Sequence, residues 1–297
     1  MLRADLKTEF DALLPGRSTE AGATRRTALR TALGVGYAAA AMPLMAQTSI
    51  RTSSEGLTTG EITLDVNGFK MPAYRAAPAG RSNLPVILVI HEVFGVHEYI
   101  ADTARRFARA GYLAIAPELF ARQGDPQSYN ELARMMDEVV SQVPDAQVMG
   151  DLDAALQWAG ANGGDAQKVG ITGFCWGGRI VWLYAAHSKV VKAAVSWYGR
   201  LAGEGTALTP TNPMDIATRL NAPVLGLYGG DDPGIPLATV NHMKDLLATG
   251  TQASKQSRFI VYPDAPHAFH ADYRSSYQEA SAIDGFRQAL AWFNSNR

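Results

Sequence analysis

Hydrophobic and polar positions along this chain fall into two kinds of run, and the two kinds alternate. Residues 61–66 (Glu-Ile-Thr-Leu-Asp-Val) switch between polar and apolar at every step, the period of a half-buried strand. Asn67-Gly68 then predicts a hairpin turn, with 69–76 returning as its second strand. Residues 85–90 are continuously apolar, as a strand buried on both faces of a parallel sheet must be. Residues 112–116, 168–172, 190–196, 223–228 and 258–262 read as further strands. Between them, 98–110 reads as a helix ended by Gly111. Residues 131–140, 145–161, 179–187, 237–247 and 277–293 are helical as well, the second of these with apolar spacing at Leu152, Leu156 and Trp158. This alternation predicts an α/β fold, with a mostly parallel sheet of about eight strands and helices on both faces. No internal repeat interrupts it. The stretch 201–213, rich in Gly, Thr and Pro, reads as a loop and a candidate lid.

Composition adds limits. The chain has 297 residues, 47% of them hydrophobic, enough for one globular domain with a full core. Its formal charge of −1 points to neither nucleic acid nor an anionic membrane as partner. The N-terminus is different in kind. Thr24-Arg25-Arg26-Thr27-Ala28-Leu29-Arg30 resembles a twin-arginine export signal, and the apolar stretch 31–46 after it is too short for a spanning helix of ~20 residues. The expectation is a leader over 1–46, cut after Ala46, and a single domain over 47–297 in the periplasm; a non-functional leader would leave the chain in the cytoplasm. The chain has one cysteine, so no internal disulfide can form.

That cysteine sits in the most informative stretch, Gly173-Phe174-Cys175-Trp176-Gly177-Gly178, between a strand and a helix. Strand, Gly-x-Cys-x-Gly and helix make a nucleophile elbow with sulfur in place of the usual oxygen. The glycines fit a turn too tight for side chains, and the helix N-terminus favours an anion. An α/β-hydrolase needs nucleophile, acid and histidine in that order. Asp231-Asp232 follows the strand at 223–228, and His267 follows the strand at 258–262. All three therefore lie beyond strand ends, where open α/β sheets place their sites. Either aspartate can serve on this reading. The expected oxyanion donors are the backbone N–H groups of Trp176 and Val93.

The chain also resembles the dienelactone hydrolase family of α/β-hydrolases from about Glu61 to the C-terminus. Four stretches carry the resemblance: His91-Glu92-Val93-Phe94-Gly95-Val96, Pro117-Glu118-Leu119-Phe120-Ala121-Arg122, the elbow, and Trp197-Tyr198-Gly199. It implies Cys175 as nucleophile, His267 as base and Asp232 as acid, since Asp232 begins the Asp-x-x-Ile-Pro run that aligns. It implies that Glu92 contacts the thiol and takes part in its activation; a carboxylate there would disfavour the thiolate at rest. It implies Arg122 as a clamp on a substrate carboxylate, with Tyr198 beside the substrate. The family's second arginine, four residues after the histidine, is Ala271 here, leaving His270 or Arg274 as substitutes. The expected activity is hydrolysis of a carboxylic ester or a dienelactone-like lactone through a thioester, with no cofactor and no metal. The expected partner is a small-molecule ester or lactone, with no nucleic acid and, once the leader is removed, no membrane, and the chain is expected to be a monomer. Two alternatives stay open: a broad carboxylesterase with another substrate, and a non-catalytic thiol redox sensor.

Overall fold

The structure, a computed structural model, describes residues 50–296. The leader and its cleavage site, expected over 1–46, lie outside the described residues. Eight strands form one sheet: β1 (Leu57–Val66), β2 (Phe69–Pro78), β3 (Leu84–Ile90), β4 (Leu113–Pro117), β5 (Gly164–Phe174), β6 (Val191–Trp197), β7 (Val224–Gly229) and β8 (Arg258–Tyr262). Their spatial order is β1-β2-β4-β3-β5-β6-β7-β8. The pairs β1/β2 and β2/β4 are antiparallel, and every pairing from β4 to β8 is parallel.

The hairpin closes as the sequence predicts. Val66 pairs with Phe69, and the two turn residues Asn67 and Gly68 both take positive φ, the backbone twist that suits adjacent antiparallel strands. Asp65 Oδ1 accepts the Gly68 N–H at 2.8 Å. β3 is buried along almost its whole length, in keeping with its unbroken apolar run.

The helices are α1 (Glu98–Arg109), α2 (Leu132–Glu138), α3 (Asp145–Ala161), α4 (Trp176–His187), α5 (Pro213–Ile216), α6 (Leu237–Ala248), α7 (Gln252–Gln256) and α8 (Glu279–Ser295). Helices α1 and α8 share a layer, where Phe107 meets Phe286 and Phe293 at 5.1 and 5.9 Å between ring centroids. Helices α3 and α4 form another, joined by the Tyr184 hydroxyl on Asp153. Two elements differ from the sequence pattern. The helix expected over 131–140 stops at Glu138 and is followed by a 3-10 turn, Val140–Gln142. Strand β5 runs from Gly164 to Phe174, longer than the 168–172 of the pattern, and a Cβ at Gly164 would stand 2.8 Å from the Ala159 carbonyl oxygen, so only glycine fits there. Helices α5 and α7 are too short to have shown a period. The candidate residues sit at the C-terminal ends of β3, β5, β6, β7 and β8, along one edge of the parallel sheet.

Candidate active site

Cys175 directly follows β5 and caps α4 with φ +54° and ψ −112°, a conformation that costs a non-glycine residue about 1–3 kcal/mol. Its surroundings enforce it. A Cβ at Gly173 would stand 2.5 Å from the Gly177 carbonyl oxygen, and one at Gly177 would stand 2.5 Å from that of Ile90. The start of α4 thus rests directly on the backbone of β3 and β5, and only glycine permits the approach. The Cys175 N–H donates to the Trp197 carbonyl at 3.0 Å, tying the elbow to the end of β6. The thiol is half-buried.

Glycine also brings the other two candidates together. A Cβ at Gly229 or Gly230 would lie 2.1 Å from the Ala265 oxygen or 2.3 Å from the Pro263 oxygen. The loop after β7 therefore packs backbone to backbone on the loop after β8. Gly230 N–H donates to Tyr262 and Asp231 N–H to Ala265, at 2.7 and 3.1 Å. The result sets His267 Nδ1 at 2.7 Å from Asp232 Oδ2, with the Asp232 side chain 2% exposed. The other Asp232 oxygen accepts the Gly234 N–H at 2.8 Å, whereas Asp231 is exposed. Burial works against a charged His267, but the charge of Cys175 and hydrogen bonds to Asp232 and Cys175 outweigh it. The ring's pKa is held well above the ordinary histidine value.

These residues border a cavity of about 270 Å³, lined also by Val93, Trp176 and Tyr198. Tyr198 holds φ +39°, with its ring 5.1 Å from that of His267 and edge-on to it. Met136, Val140 and Ile235 add apolar surface to its lining. Thr209 lines it too, so the loop expected as a lid does border the cavity.

Three residues expected at the site are placed elsewhere. Arg122 does not line the cavity: its guanidinium pairs with Asp151 at 2.7 Å and lies 4.2 Å over the Phe69 ring. His270 is buried against Tyr99, whose hydroxyl is 2.6 Å from its Nδ1; burial first, then the charge of Arg106, push its pKa well below the ordinary value. Glu92 is fully buried and outside the cavity lining. Its Oε2 accepts from the Tyr273 hydroxyl at 2.6 Å and lies 3.3 Å from His97 Nε2, and Arg274 Nη2 lies 3.2 Å from Oε1. Burial alone would raise its pKa, but Arg274, with His97 and Tyr273, holds it down to about 2. This ion pair, contributed by Arg274 from the loop after His267, engages the carboxylate that was expected to contact the thiol. Ala271, at the position of the family's second arginine, is fully buried.

Two arginines do line the cavity. Arg179 is held by both oxygens of Asp145, at 2.7 and 2.8 Å, and donates to the Thr211 carbonyl. Arg200 is exposed, its Nε donates to the Ala202 carbonyl at 2.7 Å, and it has no carboxylate partner among the described residues. Sequence reading passed over Arg200, although it directly follows the Trp197-Tyr198-Gly199 block.

The family model for the dienelactone hydrolase family matches residues 71–296. A Methylorubrum extorquens protein named "putative carboxymethylenebutenolidase" is 52% identical over 287 residues, covering 96% of this chain and 98% of that protein. An Escherichia coli K12 protein of the same name is 51% identical over 259 residues, 87% of this chain and 94% of its own length. The crystal structure of a "putative dienelactone hydrolase" from Klebsiella pneumoniae superposes with a TM-score of 0.77 at 53% identity, covering 80% of this chain and 98% of that one. A match over most of the chain, an elbow at the end of β5 and an eight-stranded sheet of this order make the chain a member of the dienelactone hydrolase family, a hydrolase of the carboxylic ester and lactone class.

Proposed function

We propose that the chain hydrolyses a carboxylic ester or lactone through Cys175, His267 and Asp232 by way of a thioester. His267 takes the proton of the Cys175 thiol, the sulfur attacks the carbonyl carbon, and the carbonyl oxygen takes up the negative charge between the N–H groups of Trp176 and Val93. Collapse breaks the C–O bond. His267 gives its proton to the departing alkoxide, which in a lactone stays attached through the acyl chain. His267 then takes a proton from water, which attacks the thioester and releases the carboxylic acid and the thiol. Asp232 keeps the ring in the Nδ1–H tautomer and stabilises its cation.

The observation that carries the reading is the 2.7 Å Asp232–His267 bond in a cavity that the strained Cys175 also lines. An apolar cavity with Arg200 at its border supports a substrate with an apolar body and an anionic group. The decisive experiment is Cys175→Ala, assayed on p-nitrophenyl butyrate with circular dichroism as a check on folding. Turnover should fall to background in a folded protein; retained turnover rejects the nucleophile.

A further inference from the structure

The imidazole of His91 is fully buried, and the proposed chemistry does not use it. Its two nitrogens are nonetheless both engaged. Nδ1 lies 2.6 Å from the Glu92 carbonyl oxygen, which can only accept, so Nδ1 carries the hydrogen. Nε2 receives the Leu119 N–H at 3.1 Å, so Nε2 has none. The pair of bonds fixes one neutral tautomer. Burial keeps it neutral, lowering the ring's pKa to about 4, although the Glu118 carboxylate lies 3.7 Å from Nε2.

The Glu92 carbonyl belongs to the same peptide unit as the Val93 N–H. A trans peptide is planar, with its C=O and N–H pointing in opposite directions, so holding the oxygen aims the hydrogen. The same oxygen also accepts the Gly95 N–H, though at 3.4 Å, leaving His91 the closer anchor. The ring further stacks on the indole of Trp176, with centroids 5.5 Å apart and planes within 8°, and meets Phe120 edge-on at 4.6 Å. One side chain therefore contacts Trp176 and the peptide unit that carries the Val93 N–H, the two proposed oxyanion donors.

We infer that His91 is a positioning residue for the oxyanion hole, aiming the Val93 N–H by gripping the carbonyl of its own peptide. This rests on the proposed reading that Val93 and Trp176 supply the oxyanion donors. Losing such a donor outright costs ~10²–10³ in kcat. A donor left in place but no longer aimed should cost about 10–10²-fold.

The test compares His91→Phe, which keeps the ring and loses both bonds, with His91→Asn, whose amide N–H replaces Nδ1–H. Both are made in the full chain and assayed on p-nitrophenyl butyrate. His91→Phe should lower kcat about 10–10²-fold with KM within about threefold, and His91→Asn should recover kcat to within about threefold of the parent. A kcat for His91→Phe within threefold of the parent, or a loss confined to KM, overturns the inference. Should His91→Phe not fold, His91→Asn decides alone, and a drop beyond tenfold counts against it. Cys175→Ala is measured in parallel. If it is inactive while His91→Phe is unaffected, only the role of His91 falls; if it is active, the thiol mechanism falls with it.

Discussion

Replacing Glu92 by Gln removes one charge from a fully buried site while keeping its shape. The carboxylate has 0% exposure and faces Arg274, whose side chain is 3% exposed, at 3.2 Å. Folding lowers its pKa from 4.5 to about 2, against the burial that would raise it, because Arg274, His97 and Tyr273 favour the anion. That difference of about 2.5 pH units, at 1.36 kcal/mol each, corresponds to about 3 kcal/mol of stability. Breaking a buried pair by removing one partner costs about 3–5 kcal/mol in general, which agrees. The sign fixes the pH window. A depressed acid pKa gives stability that is fully present above 4.5 and is lost as pH falls towards 2. Urea unfolding at pH 7 should show Glu92→Gln less stable by about 3 kcal/mol, with the gap shrinking to less than half by pH 3. A double-mutant cycle with Arg274→Met should return a coupling of about 2–3 kcal/mol. A loss under about 1 kcal/mol at pH 7 refutes the charge argument, and a loss equal at pH 3 and pH 7 shows that shape, not charge, was what changed.

Three further outcomes are expected. Asp232→Asn should fold normally yet lower kcat by ~10²–10⁴, because an amide no longer holds the Nδ1–H tautomer of His267; steady-state kinetics with a thermal melt checks both. Arg200→Ala should lower kcat/KM by about one to two decades for a carboxylate-bearing ester and leave its neutral counterpart within about threefold, whereas Arg122→Ala should not distinguish the two. Changing Arg25 and Arg26 to Lys should hold the full-length chain in the cytoplasm, read by cell fractionation, if the leader works by the twin-arginine route.

The elbow was legible because its pattern is local: Gly173, Cys175 and Gly177 lie within five positions. The close approach of Gly177 to the Ile90 carbonyl of β3 was not, since it depends on sheet packing. Asp232 and His267 were legible as residues past strand ends, but their contact was not. It required the loops after β7 and β8 to touch at Gly229 and Gly230, which no periodicity encodes. Arg122 and Glu92 show the opposite case. Each sits in a stretch that resembles the family's pattern, yet Asp151 and Arg274 engage them from segments 29 and 182 residues away. Arg200 carries no pattern of its own and became a candidate only once the cavity was formed.

The amino-acid order alone determined the alternation of strands and helices, the Asn67-Gly68 hairpin and the sharp turn that presents Cys175, since each follows from φ/ψ preference and burial period over a few neighbouring residues. Only the tertiary structure decided which charges neutralise each other and which face the cavity. Ion pairing in a dry interior depends on distances of a few ångströms between segments far apart in the chain, and sheet packing, not sequence spacing, sets those distances.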